Sequence, residues 1–432
     1  MRELNLIDRR RFIVQALGAA GAAAFGPTLT TAWGALVPGR QDSPILGLSG
    51  AFAATDFNGD EIDRPHDILW NKDEYLRERG GIPAASESVP VVVVGGGMAG
   101  LLAAYQLRDL RPVLLEGASR FGGNSRGESW GGETFSMGAA YVSKPDAESD
   151  TASLLSELGL LDRARVENGD ESTVDLSGRM VPEFWHGATD PARASEFTRV
   201  WEEFRRIREE AYPDIPHLGA DSAISLERLR ELDGMTFKQW LDRELGGVHP
   251  HIEEFFQLYC FSSFAAGYDE VSAAQAQNFL AADLGGTIAL PGGNSAIAAE
   301  LHKRLSDEGA DLRSGAFVVD VSANAEGVLV CYEDSQRRLR SVQARACVMA
   351  APKVVSRFVV SGLPAAQLEA MRRIRSRAYI VANVMLRHRR PSPSYELYRL
   401  EGSAPETPSW QDRLRPWTDV VFGSWAGGDA GG

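Results

Sequence analysis

The stretch Val91-Val-Val-Val-Gly95-Gly96-Gly97-Met98-Ala99-Gly100 constrains the fold of this 432-residue chain more than any other. Four consecutive valines suit a parallel strand covered on both faces. Gly95 permits the tight turn out of that strand. Gly97 lets backbone approach a pyrophosphate, and Gly100 lets the next helix pack close to the strand. Ala104, also small, extends the close packing. The pattern predicts a helix over 98–107, opening at Met98 and Ala99. Its N-terminal N–H groups and the positive end of its dipole favour an anion. Arg111-Pro-Val-Leu-Leu-Glu116 then reads as the second strand of a βαβ unit. Glu116 falls about 20 residues after the loop, the spacing of an acid that binds ribose hydroxyls. A glycine turn alone also marks ordinary loops. With the strand before it, the helix after it and the acid downstream, it points to a dinucleotide.

A second glycine pair follows at Arg120-Phe121-Gly122-Gly123-Asn124-Ser125. Its N–H groups have a path to a second phosphate, and Arg120 supplies charge. A plain NAD domain needs none of this after the acid; the bland alternative is a flexible turn. From Glu116 to Ser125 the chain resembles the FAD-binding fingerprint of the flavin amine oxidase superfamily, which includes phytoene desaturases and protoporphyrinogen oxidases. The resemblance implies an α/β fold. It comprises a Rossmann-like FAD-binding domain with ββα layers and an inserted, mostly helical α+β substrate domain. It also implies FAD held by Gly95, Gly97, Met98, Ala99, Gly100, Glu116, Arg120, Gly122, Gly123, Asn124 and Ser125.

The likeness extends beyond the fingerprint. Phe135-Ser-Met-Gly138-Ala139-Ala140-Tyr141 is similar to the family segment that passes beneath the flavin ring, with Tyr141 as an aromatic beside it. Leu290-Pro-Gly-Gly-Asn-Ser295 opens a helix over 296–305, as the family's Pro-Gly-Gly segment does. Ala316-Phe-Val318-Val-Asp-Val321 resembles the strand whose backbone meets adenine, at Val318. Ala346 to Pro352 resembles the strand that returns the chain to the cofactor domain. Two departures stand out. The chain stops at Ser424-Trp-Ala-Gly-Gly-Asp-Ala-Gly-Gly432, so the family's C-terminal strand, glycine turn and helix are expected to be absent. The family's flavin-side lysine has no counterpart: the strand expected over 379–386 carries Ala382 or Asn383 at that position.

The net charge of −14, from 45 basic and 59 acidic side chains, argues against nucleic acid as a partner, since phosphate binding needs a basic face. Asp8-Arg9-Arg10-Arg11-Phe12-Ile13, followed by an Ala/Gly-rich apolar run to about Phe25, resembles a twin-arginine export signal. Ala22-Ala23-Ala24 offers a cleavage site. This implies recognition by the export translocon and a periplasmic destination. Cys260, Cys331 and Cys347 form neither a disulfide scaffold nor a metal set. His249-Pro-His251 reads as a solvated loop, and no metal site is expected.

The layout expected is a signal over 1–35, an irregular leader over 36–88, the FAD domain over 89–150 and 285–362, and the substrate domain over 151–284 and 363–432. Helices are expected over 151–158, 197–212, 236–245 and 252–264 from apolar spacings of three and four. The aromatic cluster Phe255, Phe256, Tyr259, Phe261, Phe264 and Tyr268 reads mostly as core, with room for one or two substrate-lining members. The functional expectation is an exported FAD-dependent oxidoreductase. It takes a hydride from an amine-like or apolar small molecule and is reoxidised by O₂ or an electron carrier; no catalytic side chain is assigned. A desaturase or dehydrogenase, a truncated or inactive flavoprotein fold, and an NAD-dependent enzyme stand as alternatives.

Overall fold

The computed structural model describes residues 63–130, 133–169, 172–386, 394–402 and 417–426. The expected signal and the chain end from 427 onward lie outside them. The chain divides into two compact units. One, 1–63 with 406–418, falls almost wholly outside the described residues. The account below concerns the other, 64–405 with 419–432.

In chain order, α1 (Asp63–Trp70) and α2 (Lys72–Glu78) precede β1 (Glu87–Val94), α3 (Met98–Gln106), β2 (Val113–Leu115), β3 (Gly127–Trp130), β4 (Glu133–Ser136) and β5 (Tyr141–Ser143). Next come α4 (Asp150–Glu157), β6 (Arg165–Glu167), β7 (Val174–Leu176), β8 (Arg179–Val181), α5 (Ala194–Glu210), α6 (Leu226–Asp233), α7 (Phe237–Leu245), α8 (Pro250–Phe264) and α9 (Ala273–Asp283). The chain returns through β9 (Thr287–Ala289), α10 (Ser295–Asp307), β10 (Asp311–Arg313), β11 (Phe317–Asn324), β12 (Gly327–Glu333), β13 (Leu339–Met349), α11 (Lys353–Val359) and α12 (Ala365–Arg373). It closes with β14 (Glu396–Leu400), β15 (Asp419–Val421) and α13 (Gly423–Ala426).

The central sheet has strand order β10-β2-β1-β13-β12-β11. β10, β2, β1 and β13 run parallel, and β11, β12 and β13 form an antiparallel meander. Side chains alternate across a strand, so the four valines of β1 divide between two cores. Val91 and Val93 join Leu114, Leu101 and Ala104 and the inner face of α10, Ile297, Leu301 and Leu305. Val92 and Val94 join Val113, Leu115 and the meander residues Val319, Val330 and Val342. Both faces are therefore covered, as an unbroken apolar strand requires.

The second core also takes Ile68, Leu69 and Tyr75 from α1 and α2. This corrects the expected irregular leader: residues 63–78 are helical and docked. Their apolar positions are few, and charged contacts add to the docking. Arg64 and Tyr75 both bond the buried Glu333, and Lys72 reaches Asp320 at 2.9 Å.

The insert is helical with a third, aromatic core. α5 buries Phe197, Val200, Phe204 and Ile207 along one face. They meet Phe184, Trp185, Trp240 and Phe256. The small sheet β15-β14-β7-β8 joins this core through Val174, Val181, Tyr398 and Leu400, whereas β5-β9-β6 packs with the first core through Ile288 and Val142.

Two expectations fail here. Residues 379–386 form no strand. An extended segment needs a partner, none lies beside it among the described residues, and Tyr379, Ile380 and Val384 are exposed. His249-Pro-His251 is not a solvated loop. Pro250 sits at the first position of α8, which suits its fixed φ. His249 caps that helix by accepting the His251 N–H on Nδ1, lies buried, and meets Asp190 at 3.2 Å.

Candidate functional site

The site begins where β1 and β2 end side by side. Gly95 leaves β1 at φ +103°, a region that excludes ordinary side chains. A β-carbon on Gly100 would lie inside the shell of the Gly95 carbonyl oxygen, so only glycine lets α3 sit this close. Gly96 is equally forced, since a β-carbon there would strike Phe121 and Glu116. The Gly122 N–H donates to the Gly96 carbonyl at 2.8 Å. A β-carbon on Gly123 would come within 2.9 Å of the Gly97 Cα. The two glycine turns thus interlock. Among the described residues, the N–H groups of Gly97, Ala99, Gly123 and Asn124 donate to no protein acceptor. Unused amides at a helix N-terminus, facing a gap that only glycine leaves open, fit a pyrophosphate.

Glu116 has a role the spacing did not show. Its carboxylate accepts the Gly96 N–H at 2.6 Å and the Ala118 N–H at 2.7 Å. It pins the loop that it follows. An ionised carboxylate has about four acceptor positions, so two remain for ribose hydroxyls.

Four other segments meet the same place. The Met137 N–H donates to Arg126 O and the Ala139 N–H to Asn124 O. Gly138 lies so close to Asn124 O that a β-carbon would approach it to 2.9 Å. Asn294 bonds Tyr141 O at 2.8 Å through its side chain. The Ala316 N–H donates to Glu116 O at 2.8 Å, which sets Val318 just beyond the acid at the start of β11. Ala350, at the end of β13, packs against Gly95. The segments singled out in the sequence therefore converge.

Arg120 is the exception. Its guanidinium turns to Glu128 at 3.8 Å. With Ser125 it lines an open cleft of about 680 Å³ against α10, beside Phe121 and His302. None of residues 95–100 lines that cleft, and Phe121 stands between it and Gly96.

Beyond Gly138-Ala139-Ala140 lies a cluster of phenols and carboxylic acids. Tyr395 donates to the Ala140 carbonyl at 2.9 Å. Tyr398 donates to Glu396 at 3.1 Å, and the Tyr141 hydroxyl lies 3.4 Å from the same acid. Tyr259 and Ser143 donate to Asp283 at 2.7 and 2.6 Å. Alternation puts Glu396 and Tyr398 on one face of β14, and Asp419 pairs directly across from Tyr398. Burial pushes the Glu396 carboxyl well above its ordinary range, and Asp419 and Asp283 add to this. Burial raises Asp283 too, against the bonds from Ser143 and Tyr259. Burial likewise raises the phenols of Tyr141, Tyr259 and Tyr398, which stay neutral donors. Tyr141, Asp283 and Glu396 each keep partial exposure. Tyr259, Tyr395 and Tyr398 beside them are buried. Sequence reasoning flagged Tyr141 and Tyr259 but missed Glu396, Asp283 and Tyr398. Their separation along the chain carried no spacing signal.

The comparisons with known proteins agree with this geometry. Residues 98–431 match the model of the family described as flavin-containing amine oxidoreductase. Oxidoreductase PigB of Serratia sp. is 26% identical over 376 residues, 74% of this chain and 55% of that protein. Polyamine oxidase 2 of Arabidopsis thaliana is 26% identical over 306 residues, 65% of this chain and 55% of that protein. The chain thus spans about half the length of these curated relatives. A putrescine oxidase variant redesigned in its cofactor binding superposes with a TM-score of 0.52 at 23% identity, covering 66% of this chain and 63% of the other. That likeness bears on the fold, a Rossmann-like FAD domain with a substrate domain.

Proposed function

The chain belongs to the flavin-containing amine oxidoreductase family, whose cofactor is FAD, and from that premise we propose an exported enzyme that oxidises a small amine. FAD, when bound, supplies the acceptor for the hydride. The observation that carries the reading is the interlock of the two glycine turns beneath unused amides. Gly97, Met98, Ala99, Gly123 and Asn124 hold the diphosphate, with Gly95, Gly100 and Gly122 giving the turns their shape. Glu116 takes the ribose, Val318 backbone the adenine, and Gly138, Ala139 and Ala140 underlie the ring. Ser125 and Arg120 support the second turn from the neighbouring cleft. Tyr395 fixes the Ala140 carbonyl, and the aromatic core of the insert keeps water from the substrate side.

The cluster of acids and phenols around Glu396 favours an amine over an apolar alkene. Carboxylic acids and phenols complement a cation or a hydrogen-bonding head and would be poorly solvated by hydrocarbon. O₂ or an electron carrier then regenerates the oxidised protein. The reading is tested by purifying the full chain, identifying its chromophore, and mixing it with amines and with alkenes under argon. A band near ~450 nm that bleaches with amines alone is expected; a colourless protein would end the proposal. Export is tested apart: changing Arg9 and Arg10 together to Lys should leave the protein in the cytoplasm, and unchanged periplasmic yield would refute the signal.

A further inference from the structure

We propose that the open cleft between α10 and the second glycine turn binds a small organic phosphate, with its phosphoryl group held by Arg120 and Arg126 and its flat body against Phe121 and His302. At about 680 Å³ the cleft falls within the range of about 300–1,000 Å³ that small-molecule sites occupy. The net charge of the chain is −14, yet among the described residues that line this cleft none is acidic. Arg120 touches Glu128 only at 3.8 Å, longer than a hydrogen bond, and its side chain is 53% exposed. Its guanidinium is therefore loosely held and can turn to a ligand. Arg126 donates through Nε to the Gly123 carbonyl at 3.0 Å. That bond anchors the side chain, and among the described residues no acceptor takes its terminal nitrogens.

A third donor is buried beside them. Ser125 lines the cleft and is only 6% exposed. Its hydroxyl has no partner among the described residues, and a buried polar group in that state needs an explanation. A phosphate oxygen in the cleft supplies its acceptor. The opposite wall is apolar: the Phe121 and His302 rings lie 5.1 Å apart, with Ala298 and Leu312 alongside. These surfaces suit a ring. Charge then decides the class of ligand. A dianionic phosphate answers both guanidiniums through charge-assisted bonds. A carboxylate answers one, and a neutral molecule neither. The site does not depend on amine oxidation, and Phe121 separates it from Gly96.

The test uses the FAD-loaded full chain, whose glycine gap is filled, and three probes of similar shape: phenyl phosphate, benzoate and benzyl alcohol. In calorimetric titration at pH 8, phenyl phosphate should bind about 10-fold or more tightly than benzyl alcohol, the scale of a hydrogen bond to a charged group, with benzoate between them. Ala299 is exposed on the cleft face of α10. Ala299→Glu sets a carboxylate there and should weaken phenyl phosphate about 10-fold while the flavin band stays unchanged. His302→Ala removes half of the ring pair and should weaken phenyl phosphate and benzyl alcohol alike; it serves should the first variant not fold. Equal binding of phenyl phosphate and benzyl alcohol by the wild type, or phenyl phosphate affinity unchanged in either variant, would overturn the inference. The amine reading survives that result if amines still bleach the flavin. A colourless chain whose phenyl phosphate binding is lost in Ala299→Glu would keep the cleft site and end the amine reading.

Discussion

At the scale of single residues, the glycines divide into those the fold needs and those a ligand needs. Gly100 belongs to the first kind, because a β-carbon there would overlap the Gly95 carbonyl. Gly100→Ala should push α3 off the sheet and lower stability by about 1–3 kcal/mol, the usual cost of overpacking. Gly97 belongs to the second, since its own β-carbon would meet only the Gly123 Cα, at an ordinary 3.7 Å. Gly97→Ala should leave the melting temperature nearly unchanged yet lower flavin content. Thermal unfolding followed by circular dichroism, with the ratio of flavin to protein absorbance, separates the two. Glu116→Gln should be intermediate. Its amide offers one oxygen where the carboxylate offers two, so Gly96 or Ala118 loses its acceptor. A loss of about 1–3 kcal/mol is expected for the unsatisfied buried donor, visible in urea unfolding.

At the scale of elements, the parts visible in the sequence are those built from neighbours in the chain. The run Val91–Gly100 showed strand, turn and helix because each steric demand falls on an adjacent residue. The helices α5 and α7 showed because their apolar positions recur on one face, and α8 because its length and apolar content suit a helix buried all round. Thr236 caps α7 by accepting the Gln239 N–H, and the Gln239 side chain accepts the Thr236 N–H in return. Thr236→Ala should cost about 1 kcal/mol, measurable as a shift in the denaturant midpoint without change in its slope. The helices at 63–78 were missed because charged contacts to Glu333 and Asp320, far along the chain, share in holding them. The acids of the phenol cluster and Tyr398 were missed for the same reason: Asp283, Glu396 and Tyr398 share no period with Tyr141 and Tyr259. The opposite error occurred at 379–386, where an apolar, β-branched segment had the composition of a strand but lacks a neighbour to pair with.

For the whole molecule, the buried acid cluster links stability to pH. Glu396 and Asp283 have folded-state values raised by burial. The folded protein therefore holds their protons longer than the unfolded chain. Their contribution is full below the ordinary carboxyl range, near 4.5 for Glu396, and is lost as pH rises through the raised values. Glu396→Gln cannot ionise, so its melting temperature should gain on wild type as pH climbs above that range; a constant gap would contradict the buried-acid picture. The clasp between the two glycine turns has a consequence of another kind. Glu116 and the Gly96–Gly122 bond shape the cradle from protein atoms alone, so stripping the flavin should leave a preformed mould. Reconstitution by simple mixing would then proceed without refolding, in a single bimolecular phase whose rate scales with added FAD.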